Sequence, residues 1–87
     1  MTETSFDAVK LYYENNILRF IGQNEILCMI PRVNVSSFQL CKSSFIVFLN
    51  NGSKITIRYN KYTKELAEPM TVFIIEWKSQ FHSIALG

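Results

Sequence analysis

The stretch SSFIVFLNNGSKITIRYN, residues 43–60, decides how this chain folds. It reads as a hairpin turning at Asn51-Gly52, because Asn-Gly suits a two-residue type I′ turn with positive φ at both central positions. The first arm, Phe45-Ile46-Val47-Phe48-Leu49, is apolar at every position. The second arm alternates, with Ile55 and Ile57 on one side and Lys54, Thr56 and Arg58 on the other. A two-residue loop sets Leu49 opposite Lys54, Val47 opposite Thr56 and Phe45 opposite Arg58. It sets Phe48 opposite Ile55 and Ile46 opposite Ile57. Directly opposed residues share a sheet face. One face is then wholly apolar, and the other mixes Phe45, Val47 and Leu49 with cations. The expectation is that Ile46, Phe48, Ile55 and Ile57 enter the main core with Trp77. Phe45, Val47 and Leu49 are expected to be only partly covered, leaving the rest to an N-terminal strand or another molecule.

Upstream of the hairpin, turn-forming residues recur at short, regular intervals, as in a meander of antiparallel strands. Strands are expected at 9–13, 17–21, 25–30, 35–41, 45–49 and 53–59. The breaks fall at Glu14-Asn15-Asn16, Gly22-Gln23-Asn24, residues 31–34, Lys42-Ser43-Ser44 and Asn51-Gly52. Pro31 has no N–H to give a ladder and marks a strand end or edge.

Beyond Tyr59 the hydrophobic period changes from two to that of a helix. Met70, Phe73, Ile74, Trp77, Phe81 and Ile84 form an amphipathic stripe. Pro69 suits a first helical turn, where its missing N–H costs nothing. That gives a helix over about 68–84, with an earlier start near Thr63 and a kink at Pro69 left open by Leu66. Val72 and Ile75 fall opposite the stripe, where a helix lying on a sheet is ordinarily polar.

Eighty-seven residues, 48% of them hydrophobic and 14% aromatic, make one domain and exclude a disordered chain. The net charge of +2 is too mild to indicate a nucleic-acid binder. Its distribution is uneven: residues 1–25 and 65–87 each carry −2, while 26–64 carries six cations and no acid. The polar, acidic start resembles no secretory leader, and no apolar run is long enough for a membrane span. A cytoplasmic setting is expected, with Cys28 and Cys41 as reduced, buried thiols. The two Asn-X-Ser matches at Asn34 and Asn51 are then not glycosylated.

Catalytic patterns are missing. His82 is the only histidine and has neither cysteine nor carboxylate close in sequence. It reads as a surface or interface residue. No metal-ligand spacing appears, and three glycines make no phosphate-binding loop. No catalytic, cofactor-binding or metal residue is assigned, and an enzyme is not expected. Val72, Ile75, Phe45, Val47 and Leu49 are the candidate partner-binding residues. Lys54, Arg58 and Lys61 are the candidates for an anionic partner.

The fold expected is α+β: a curved antiparallel sheet or small barrel of five to seven strands with one C-terminal helix, in a single domain over 1–87. This order of elements, with Trp77 inside the last helix, resembles the pleckstrin-homology-like layout. The resemblance lies in element order, transfers no site residues, and implies a protein- or lipid-binding module. The function expected is that of a small non-enzymatic protein-binding module, of adaptor, immunity-protein or inhibitor type, masking or bridging a partner surface. The partner is another protein or a second copy, in a homodimer. The alternative is nucleic-acid binding through the cationic segment 26–64.

Overall fold

The computed structural model describes residues 2–86, with side chains as far as Ser79. The fold is α+β: seven strands in two sheets, followed by one helix. The strands are β1 (Glu3–Asp7), β2 (Lys10–Glu14), β3 (Ile17–Ile21), β4 (Ile26–Pro31), β5 (Val35–Leu40), β6 (Ser44–Leu49) and β7 (Lys54–Arg58), and the helix is α1 (Lys64–Leu86). One sheet has the order β1-β7-β6-β5 and the other β2-β3-β4. The sheets curve but do not close into a barrel. A short 3₁₀ turn over Arg32–Asn34 carries the chain from β4 into β5.

Six strands fall within a residue of their expected bounds. The seventh, β1, was not expected as a strand. It pairs in parallel with β7, Glu3 beside Lys54 and Asp7 beside Arg58, so this sheet is mixed rather than wholly antiparallel. The helix begins at Lys64, and Pro69 lies inside it rather than at its first turn.

The decisive correction concerns the 43–60 hairpin. Asn51 does not take positive φ; Gly52 does, at +89°. The Gly52 N–H donates to the Leu49 carbonyl at 3.0 Å, and the Leu49 N–H donates to the Ser53 carbonyl at 2.9 Å. The loop is thus the three-residue form, a type I turn closed by a left-handed glycine. The Asn51 side chain accepts from the Ser53 N–H at 2.9 Å and steadies it. Adding one loop residue moves every cross-strand pair by one: Phe45 pairs with Ile57, Val47 with Ile55, and Ile46 with Thr56. Since side chains alternate, a shift of one exchanges the two faces. Phe45 and Val47 are both 0% exposed, and Ile46 and Phe48 lie half-buried on the outer face. The two-residue type I′ turn occurs instead between β2 and β3, where Asn15 and Asn16 have φ of 54° and 62°.

One contiguous core joins the layers. Leu11, Leu18, Phe20 and Ile30 enter it from the three-stranded sheet, and Phe45, Val47 and Ile57 from the other. The helix contributes Leu66, Met70 and Phe73, all fully buried. Phe73 meets Tyr13 at 5.6 Å, Phe38 at 5.5 Å and Phe45 at 6.3 Å between ring centroids, each edge to face. Trp77 is half-buried at the margin, its ring 5.1 Å from Phe38. Phe81, His82 and Ile84 lie outside the described side chains.

The register sets an order of stability. Phe45→Ala is expected to cost about 3–5 kcal/mol as a truncation inside a packed core. Phe48→Ala, on the outer face, is expected to cost clearly less. Chemical unfolding of the two variants measures the difference, and equal costs would contradict the register.

Candidate binding surfaces

Each expected site residue has a definite place. Val72 and Ile75 are 48% and 61% exposed on α1, pointing away from the stripe made by Leu66, Met70 and Phe73. Successive helical residues turn through about 100°, and this places the pair opposite the core. Phe45 and Val47 are buried and present nothing to a partner from this chain; the register described above is the reason. Leu49 is half-buried and packs against the core edge.

The cations do share a face, but β1 brings acids to it. Lys54 Nζ lies 3.6 Å from Glu3 Oε1, and Arg58 Nε lies 3.1 Å from Asp7 Oδ1. The parallel register β1–β7 makes both pairs direct neighbours. Both are exposed, so each contributes little to stability, about 0–1 kcal/mol. Their main effect is to neutralise the positive stripe that β7 alone would present. Ile46, Phe48 and Thr56 occupy the rest of this face in place of the expected Phe45, Val47 and Leu49.

Lys61 stands apart, in the loop leading to α1. With Arg58 it lines a half-open cleft of about 580 Å³. The walls come from three places: the end of β1 and its link to β2 (Asp7, Val9), the β3–β4 turn (Gln23) and the β7–α1 loop (Asn60). Of these three, only the β1–β2 link joins the two sheets, and the cleft sits at that corner, where the chain passes from one sheet to the other.

Two further features carried no signal in the sequence. The outer face of the three-stranded sheet is largely apolar, with Tyr12, Arg19 and Met29 side by side across the strands. Tyr12, Ile26 and Met29 are all exposed there. The second feature is a polar contact at the far end of that sheet. Arg32 Nη1 donates to Glu76 Oε1 at 3.1 Å, and the Tyr13 hydroxyl donates to the same oxygen at 3.3 Å. It ties β2, the 3₁₀ turn and α1 together, while Arg32 Nε is buried without a partner. Burial holds the Tyr13 phenol above its usual range, with Arg32 opposing and Glu76 adding to the shift.

Cys28 and Cys41 are free and half-buried. Burial pushes the Cys28 thiol up to about 11, so it stays protonated and unreactive near neutrality. Among the described residues no group of three metal-ligating side chains occurs, and no helix is long and apolar enough to cross a membrane. Comparison with protein-family models, curated proteins and solved structures found no match to this chain.

The raised Cys28 pKa has two expected consequences. At pH 8 Cys28 reacts with iodoacetamide far more slowly in the folded protein than in denaturant, as peptide mass spectrometry would record. Because the folded value lies above the unfolded one, its contribution to stability is intact below about 9 and declines as pH rises towards about 11. Equal alkylation rates in both states would contradict the burial.

Proposed function

We propose that this chain is a small non-enzymatic protein-binding module, of adaptor, immunity-protein or inhibitor type, which masks or bridges a partner surface. The observation that carries this reading is the exposure of Val72 and Ile75 on the side of α1 away from the core. Leu66, Met70 and Phe73 already anchor the helix, so folding does not require apolar residues on its other side. Removing two large aliphatic side chains from water is a gain open to a docking partner. The partner in this reading is another protein or a second copy of the chain. The two free cysteines suit a reducing, cytoplasmic setting.

Nucleic-acid binding through segment 26–64 has less support. Lys54 and Arg58 each face a carboxylate from β1, so the stripe that a polyanionic strand would meet carries little net positive charge.

Ile75→Glu is the direct test, because position 75 lies outside the core and tolerates a charge. The expected outcome is unchanged far-UV circular dichroism with association weakened about tenfold or more, equivalent to roughly 1.4 kcal/mol. Light scattering reads a homodimer, and affinity capture with the wild type and the variant in parallel reads a heterologous partner. A wild-type protein that stays monomeric at high concentration removes the homodimer. Capture of the same proteins by wild type and variant removes this helix face as the docking site.

A further inference from the structure

We propose that the cleft at the corner between the sheets binds a small phosphate monoester, a role separate from docking through α1. The cleft, about 580 Å³, lies within the range of pockets that hold small organic ligands. Its charged lining is Arg58, Lys61 and Asp7, two cations against one acid. Asp7 engages Arg58 through Nε alone, leaving the two terminal guanidinium nitrogens for a second oxyanion. Those nitrogens form a planar fork suited to paired phosphate oxygens. Lys61 takes no part in the ion pairs of the described residues and supplies a second, mobile positive charge. Gln23 and Asn60 bring neutral amide donors from separate loops.

The apolar part of the lining selects for more than an inorganic ion. Val9 is 43% exposed beside this cleft, an apolar wall against which the organic part of an ester can lie. Asp7 serves two purposes in such a site. It orients Arg58, and it sets the affinity, because its own negative charge opposes the incoming anion. That opposition gives the proposal a consequence of unusual sign: removing an acid strengthens binding.

The test uses the full chain, isotope-labelled, titrated with phenyl phosphate and followed by the backbone amide resonances. Inorganic phosphate and phenol serve as parallel titrants. Phenyl phosphate is expected to give saturable shifts at residues 7–9, 23 and 58–61, with weaker binding of inorganic phosphate and none of phenol. The double variant Arg58→Gln/Lys61→Gln is expected to lose about tenfold or more in affinity, and Asp7→Asn to gain severalfold. All three side chains are exposed, and circular dichroism confirms that the variants fold. Three results would overturn the proposal: no saturable shift in the wild type, equal affinity in the double variant, or weaker binding by Asp7→Asn.

Discussion

A single left-handed glycine decides which side of β6 meets the core. Gly52 closes a three-residue loop that the flanking asparagines alone would not choose, and the loop length sets the pairing of β6 with β7. From that pairing follows the inward position of Phe45 and Val47. From Phe45 follows the aromatic seat of the helix, because Phe73 packs edge to face on Phe45, Phe38 and Tyr13 together. A two-residue loop would turn Ile46 and Phe48 inward and leave Phe45 outside. The layers would then have to find another way to interlock, since interiors tolerate little change of shape.

The elements were legible in the sequence and the register was not. Strand ends are written by Gly, Asn, Pro and Ser, whose backbone preferences act locally. The change of period after Tyr59 is equally local and marked the helix. Register depends on whether Asn51 or only Gly52 takes positive φ, and the dipeptide Asn-Gly permits both loops. An arm apolar at every position, Phe45 to Leu49, offered no polar residue to break the tie. The strand β1 was hidden by its composition. Glu3, Ser5 and Asp7 point outward and only Thr4 and Phe6 inward, so a short edge strand reads as a polar tail.

The candidate surfaces divide in the same way. Val72 and Ile75 were legible because helical geometry fixes the direction of a side chain from its position alone. Lys54 and Arg58 were legible as a shared face, since alternation is just as rigid. Their acid partners were not, because Asp7 and Arg58 are 51 residues apart and meet only through β1. The cleft beside Lys61 had no signal at all, being assembled from three linkers whose meeting depends on how the sheets pack.

The parallel seam between β1 and β7 also bears on how the chain reaches its native state. The strand nearest the start of the chain finds its place only beside the last strand to be made, and β7 itself waits for the Gly52 turn. The hairpins β2–β3 and β6–β7 can close early, each at the small entropic expense of a short loop. β1 must wait, its carboxylates unpaired and Phe6 without a place in the core, until nearly all of the sheet exists. The seam therefore carries a large loop-closure entropy, with 51 residues separating Asp7 from Arg58, and it works as a clasp. Until the seam closes the edge of β7 stands open, and in the folded chain β1 is what covers it.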